Sequence, residues 1–271
     1  MKVSVIIPTY QPQDYLWECL DSLVAQTFPK EDFEVVLVLN GCGEPYKSRI
    51  EEFVSQRMAG MHVNFIHTET GGVSNARNVA LDHAKGNFVT FIDDDDYVSP
   101  RYLELLCEKA DADTISVCIP YAFKDGDVST PVSYPIRDVV EEMYEQQVVR
   151  ISSKVRKCFS GCWMKLIPRN YILDRRFDVR FKNGEDALFM FLISNKFNKI
   201  SFANKEAIYY RRYRENSAVT RKRKRSEVVK TGLLQMGMYL AYFLRRPFSY
   251  NLNFFLTRFL AAAHGIVVNV R

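Results

Sequence analysis

The chain has 271 residues, a net charge of +5, and 47% hydrophobic and 25% charged residues. This is the balance of a soluble globular protein long enough to bury a substantial core. No stretch reaches the roughly 18 uninterrupted apolar residues of a membrane span, since even Leu252 to Val270 is broken by Arg258 and His264. Six cysteines without a C-x-x-C pair argue against a zinc ribbon and for free, reduced thiols.

Met1 to Ile7 breaks at Pro8 with no small-residue cleavage site, so it reads as a strand and not a signal peptide. Together with the absent span, this predicts a cytoplasmic protein. Val3 to Ile7 is a buried strand ending in the turn Pro8-Thr9-Tyr10-Gln11-Pro12. Leu16, Leu20, Leu23 and Val24 then recur at helical spacing behind Asp14, a plausible N-cap. Glu34 to Leu39 is a second strand, closed by Asn40-Gly41-Cys42-Gly43. A helix from about Tyr46 to Met58 and a short strand over Val63 to Ile66 follow. This alternation is the rhythm of a doubly wound sheet that binds nucleotides at its strand ends.

Gly71-Gly72 leads into a helix over Val73 to Leu81 that carries Arg77. This is a credible diphosphate seat, though an ordinary loop and helix start has the same appearance. Phe88 to Ile92 is an apolar strand that ends in Asp93, Asp94, Asp95 and Asp96. Four adjacent carboxylates repel one another unless water or a cation screens them, and a divalent metal is the simplest resolution. Pro100 opens a helix, Thr114 to Ile119 is a strand, and Tyr121 to Pro135 is a polar hairpin or excursion. A helix runs through Val139 and Met143 to Val148.

Trp163 suits a sugar-stacking platform or ordinary core, and Lys165 an acceptor contact or a surface lysine. Glu185 and Asp186 open a helix with an apolar stripe at Leu188, Phe191 and Leu192. Acids in a first turn are favoured by the helix dipole whatever else they do. Arg211, Arg212, Arg214 and the run Arg221 to Arg225 face only Glu215, which suggests an anionic partner. Two helices, about Ser226 to Leu244 and Leu252 to Val268, end the chain. The basic run fits a solvated face, a diphosphate-gripping loop or an anionic membrane surface. Nucleic acid is disfavoured, and the four histidines show no ligand spacing.

Several of these stretches, in order, resemble the family 2 glycosyltransferases of the GT-A fold. They are Val3 to Tyr10, Ala76-Arg77-Asn78 with Ala84-Lys85-Gly86, Phe91 to Asp96, Trp163 to Leu166, Gly184-Glu185-Asp186, and Tyr209 to Ser217. The resemblance implies an α/β Rossmann-like mixed sheet flanked by helices. Residues 1–220 would form the transferase domain, with a nucleotide-binding half over 1–110 and an acceptor-binding half over 111–220. Residues 221–271 would form a basic, amphipathic helical extension.

The implied donor is a nucleotide-diphosphate sugar, with a UDP-sugar favoured. Pro8, Thr9 and Tyr10 would flank base and ribose, Arg77 would reach toward base or diphosphate, and Asp93 and Asp94 would complete the nucleotide-sugar site. Asp95 would hold Mn²⁺ or Mg²⁺. Leu39 and Asn40 stand where members carry an Asp pair. Asn40 can still pair with a base, but the departure weakens the case for uracil. Asp186 is implied as the base that deprotonates an acceptor hydroxyl, with Glu185 orienting the acceptor or exchanging roles with it.

The implied reaction is an inverting transfer to a saccharide or lipid-linked saccharide in surface polysaccharide assembly. The protein would then sit on the inner membrane face as a peripheral protein. A sugar nucleotidyltransferase is the alternative, but Ile7 to Gln11 lacks the Gly-rich basic phosphate loop. A non-catalytic carbohydrate-binding protein is the other, opposed by intact Asp95 and Asp186.

Overall fold

The computed structural model describes residues 1–111, 113–214 and 224–270, the side chains of 269 and 270 excepted. Arg221, Lys222 and Arg223 of the basic run, and Glu215 to Ser217 before it, therefore lie outside the described residues. β1 (Val3–Thr9) and β2 (Phe33–Asn40) are buried at every position, as expected of parallel strands covered on both faces. Between them α1 (Tyr15–Val24) buries Leu16, Cys19, Leu20 and Leu23. α2 (Tyr46–Arg57) leads to β3 (His62–Thr68), which is partly exposed, and α3 (Val73–His83) leads to β4 (Phe88–Phe91). β5 (Tyr97–Val98), α4 (Tyr102–Glu108), β6 (Thr114–Val117), β7 (Ile119–Lys124) and β8 (Asp127–Pro131) follow.

α5 (Pro135–Met143), β9 (Val148–Arg150), β10 (Lys165–Pro168), α6 (Arg169–Ile172) and α7 (Glu185–Ile193) make up the next part. The chain ends with β11 (Lys199–Phe202), β12 (Ile208–Tyr213), α8 (Arg225–Arg245) and α9 (Leu252–Val270). An eight-stranded sheet has the order β3-β2-β1-β4-β10-β6-β11-β9, and a four-stranded sheet has the order β5-β12-β7-β8. β1 to β4 pair in parallel and β10 runs antiparallel to both β4 and β6, so the sheet is mixed.

Two expectations need correction. The apolar run Thr114 to Ile119 is not one strand. The Cys118 N–H turns aside to the Met164 carbonyl (3.1 Å), so β6 stays in the large sheet while β7 passes to the small one. The helix predicted to reach Val148 stops at Met143. A tight turn over Tyr144–Gln146 and a left-handed Gln147 (φ 57°) reverse the chain into β9. α8 and α9 pack against each other and onto α7, where Phe191 meets Tyr239, Tyr250, Phe254 and Phe255 at 4.9–6.3 Å between ring centroids.

Candidate active site

β4 ends where the Ile92 N–H makes the last sheet bond to Ile6 O (3.0 Å), and the four aspartates turn away from the strand end. The turn closes on itself through Asp96 N–H to Asp93 O (3.1 Å), and Tyr209 of β12 accepts from Asp93 N–H (3.1 Å). β12 and the residue after it brace the other side. Arg212 donates its N–H to Asp96 Oδ1 (2.7 Å) and its Nε to Asp95 O (2.9 Å), and Arg214 Nε donates to Asp95 Oδ2 (2.7 Å). Arg212 is itself held by Asp125 and Glu18.

Burial, and then the neighbouring carboxylates, push Asp94 up to about 7 and hold Asp95 and Asp96 above the usual carboxylate range. Arg214 opposes the shift at Asp95. These are hard oxygen donors under mutual repulsion, with a guanidinium already seated on Asp95. That chemistry fits a hard divalent cation bound through one or two carboxylates. Among the described residues no group of three or more His, Cys, Asp or Glu is placed to hold a metal ion. The remaining oxygens of such a site would have to come from a ligand.

Arg77, on α3 and 3% exposed, joins the acid turn to the start of α7. Its Nη2 donates to Asp93 Oδ1 (2.8 Å) and its Nη1 to Asp186 Oδ1 (2.7 Å), with Glu185 Oε1 at 3.5 Å. The guanidinium lies 5.4 Å over the Phe177 ring. Gly184, left-handed at φ 79°, caps α7 and so aims Glu185 and Asp186 at this arginine. Burial is the main cause of a raised pKa at both acids. It pushes Glu185 up to about 7, with Asp186 adding to the shift and Arg77 opposing it. Cys162 Sγ also donates to Asp186 Oδ1 (3.5 Å).

Two cavities open here. One of about 460 Å³ is lined by the acid turn, Arg77, Glu185 and Asp186, with Trp163 and Arg211 in its wall. The other, about 610 Å³, is lined by Pro8, Thr9, Tyr10, Asn40 and the Gly71-Gly72 loop. They share Pro8, Val73, Asp94 and Arg214. Val73 is the first residue of α3, so the amide end of that helix lies at the seam. Thr9 Oγ1 donates to Asp94 Oδ2 (2.5 Å) there, tying the first turn to the acid turn.

A family model described as "Glycosyl transferase family 2" matches residues 4–171. The chain belongs to glycosyl transferase family 2. It is 30% identical over 226 residues to glycosyltransferase GlyA of Streptococcus pneumoniae, covering 78% of this chain and 30% of that protein. It is 33% identical over 221 residues to the poly(ribitol-phosphate) β-N-acetylglucosaminyltransferase TarS of Staphylococcus aureus, covering 79% of this chain and 36% of that protein. The chain thus spans about a third of the length of these relatives. A crystal structure of S. aureus TarS residues 1–349 with UDP superposes with a TM-score of 0.67 at 25% identity, covering 89% of this chain and 66% of that one. The fold is GT-A, a large mixed sheet flanked by helices.

Within this family 2 frame the predicted residues fall into three sets. Thr9, Tyr10 and Asn40 line the second cavity, Asp93, Asp95, Glu185 and Asp186 line the first, and Pro8 and Asp94 line both. Asn40 is buried with both ends of its amide engaged: Nδ2 donates to Thr9 O (2.7 Å) and Oδ1 accepts from Gly72 N–H (2.7 Å). It therefore clamps the two loops of the cavity together.

Three predicted residues are engaged within the chain. Arg77, expected to reach toward base or diphosphate, has its guanidinium drawn to three carboxylates. Lys165 is 1% exposed and donates to Gly161 O (2.9 Å) and Trp163 O (2.8 Å). It closes a buried turn behind the cavity instead of meeting an acceptor, and burial lowers it to about 8. Trp163 is 3% exposed, stacked with Tyr209 and Tyr134, with the Arg211 guanidinium 4.9 Å away. Its ring faces are engaged inside the chain, so it serves as cavity wall and not as a stacking platform.

The sequence reading did not assign site roles to Arg211, Arg212, Arg214 or Cys162. The three arginines within Arg211-Arg212-Tyr213-Arg214, in and just after an aromatic strand, are the signal for the first three. Nothing in the sequence marks Cys162.

Proposed function

We propose that the protein is an inverting glycosyltransferase that moves a sugar from a nucleotide-diphosphate donor to a hydroxyl of a saccharide, free or carried on a lipid. The observation that carries this reading is the seam between the cavities. A nucleoside-sized hollow and a carboxylate-lined hollow meet at Asp94 and Arg214, beside Asp95, where a diphosphate would have to lie. The base and ribose sit against Pro8, Thr9 and Tyr10, and Asn40 holds that hollow in shape. Asp95, with Asp94 beside it, would hold Mn²⁺ or Mg²⁺, which supplies Lewis-acid stabilisation of the departing diphosphate. Arg214 and the α3 amide end add fixed positive charge on the same side.

Asp186 takes the proton from the acceptor hydroxyl as it attacks from the face opposite the diphosphate, so the anomeric configuration inverts in one displacement. Arg77 opposes the burial-driven rise at Asp186 and aims it while tying it to the acid turn. Glu185 orients the acceptor. The TarS complex with UDP makes UDP-sugars the first donors to test, and the naming of TarS for poly(ribitol-phosphate) supports a bacterial surface polymer as acceptor.

The test is a panel of UDP-sugars with divalent cation, read as nucleotide diphosphate release. Release is expected from one or two donors and is expected to fall about 10²- to 10⁴-fold in Asp186→Asn. Release of pyrophosphate instead, or an unchanged rate in Asp186→Asn, would overturn the proposal.

A further inference from the structure

α8 and α9 press one flank each onto the domain and onto each other, and the flanks left in solvent carry apolar stripes interrupted by Lys230, Asn253 and His264. On α8 Leu233, Leu240 and Leu244 are exposed at spacings of seven and four. On α9 Leu252, Leu256, Leu260 and Val267 are exposed at spacings of four, four and seven. Both spacings return to the same helix face. Phe248, in the turn between the helices, is fully exposed at 101%. Nine of the fifteen exposed large apolar residues of the described chain fall in this hairpin, so the exposure is local and not general.

The charge in the same segment has one sign. From Lys224 to Val270 the sequence has six lysines and arginines against one carboxylate, Glu227, and Arg221, Lys222 and Arg223 immediately precede it. Arg245 and Arg246 stand exposed next to Phe248. An occupant must therefore offer negative charge and apolar depth together. A second copy of the hairpin brings like charge, and a soluble polyanion leaves the leucines in water. An anionic bilayer surface supplies both, with headgroup phosphates above an acyl boundary. No described helix is long and apolar enough to cross a membrane.

We infer that the α8–α9 hairpin docks this protein on an anionic lipid surface, Phe248 and the leucine stripes entering the acyl boundary while Arg245 and Arg246 meet the headgroups. The hairpin also touches the site. Gln235 Nε2 donates to Gly184 O (3.0 Å) at the cap of α7, and Arg258 Nη2 donates to Arg156 O (3.0 Å) beside the cavity wall. Docking would therefore fix the cavity relative to the lipid. The inference stands apart from the transfer reaction, because lipid binding needs neither donor nor acceptor.

The experiment is flotation of the full chain with phosphatidylcholine vesicles and with phosphatidylcholine vesicles containing phosphatidylglycerol. Binding to the anionic vesicles alone is expected, reversed by salt. It should weaken at least about tenfold in Arg245→Glu/Arg246→Glu and in Leu244→Ser/Phe248→Ser. All four positions are exposed, and unchanged melting temperatures verify that the variants remain folded. Failure of the parent protein to float with anionic vesicles, or undiminished binding by both variants, overturns the inference. So does a lipid-free dimer that Leu244→Ser/Phe248→Ser dissociates, which would assign the face to a second copy.

Discussion

Arg77 is a single cation inside a shell of carboxylates, and its removal would be felt mainly as negative charge left without a partner. With Asp93 and Asp186 both within 2.8 Å of it, Arg77→Met should destabilise the fold by about 3–5 kcal/mol. The sign of the pH dependence follows. Freed of Arg77, the carboxylates titrate higher in the folded than in the unfolded chain, so the loss is largest at high pH and is relieved as they protonate. Urea unfolding at pH 8 and pH 5.5 should show a larger deficit at pH 8.

Glu185 carries a related signature in the parent protein. Its folded pKa of about 7 lies above the unfolded value near 4.3. The stability it contributes is therefore complete below that unfolded value and is lost as pH rises through 7. Glu185→Gln should reduce the fall in stability between pH 6 and pH 8 by about 1 kcal/mol, and an unchanged slope would count against the shift.

At this scale the sequence was legible where chemistry is concentrated. Asp93 to Asp96 ends an apolar strand and Glu185-Asp186 follows a glycine, and both face the same cavity. Lys165 and Trp163 were not legible, since nothing local to a lysine announces that two carbonyls will surround its ammonium in the core.

Among the elements, two glycines show how tightly the strands and helices are set. A Cβ on Gly86 would lie 2.5 Å from the Ser4 backbone nitrogen and 2.6 Å from the Val3 carbonyl carbon, both in β1. No side chain can move aside there. The Gly86 N–H also donates to Ser4 Oγ (2.8 Å), which donates to buried Glu34 (2.6 Å). Gly86→Ala should cost about 2–3 kcal/mol and shift β4 against β1, measurable as a lowered denaturant midpoint with reduced nucleotide binding.

Gly184→Ala meets a different obstacle, a φ of 79° and a Cβ 2.1 Å from Gln235 Nε2. Because Gln235 is flexible, Gly184→Ala in a Gln235→Ala background should recover the steric part of the loss and leave the backbone part, about 1 kcal/mol. A double-mutant cycle on unfolding free energy checks this. β1, β2 and β4 could be read from their apolar runs because buried parallel strands are apolar throughout. The break at Cys118 could not, because an apolar run carries no mark of which sheet each half will join. The end of α5 escaped for a similar reason, since Gln147 reverses the chain without Gly or Pro.

For the whole molecule, the order of the segments along the chain points to the GT-A fold, yet it could not show that Pro8, Val73, Asp94 and Arg214 would meet at one seam. That meeting is built by strand order: β1 lies between β2 and β4, so their carboxyl ends converge. At the seam the carboxylates repel one another and are held toward their protonated forms, with Arg214 the cation on Asp95. A diphosphate alone would add negative charge to this cluster, and a divalent cation alone would lack the oxygens to complete its shell. Each should therefore bind weakly alone and the two should bind together.

UDP with Mn²⁺ is expected to raise the melting temperature by more than the sum of the separate shifts, with stabilisation of about 2.7 kcal/mol when the ligand is at a hundred times its Kd. Asp95→Asn should remove the cation-dependent part and leave a small shift from UDP alone, since Pro8, Thr9 and Tyr10 are untouched. Asp186→Asn should keep the full shift, because that residue lines only the carboxylate cavity. If UDP stabilises the parent protein equally with Mn²⁺ and with chelator, the acid turn is not a cation site and the diphosphate is neutralised by arginines alone.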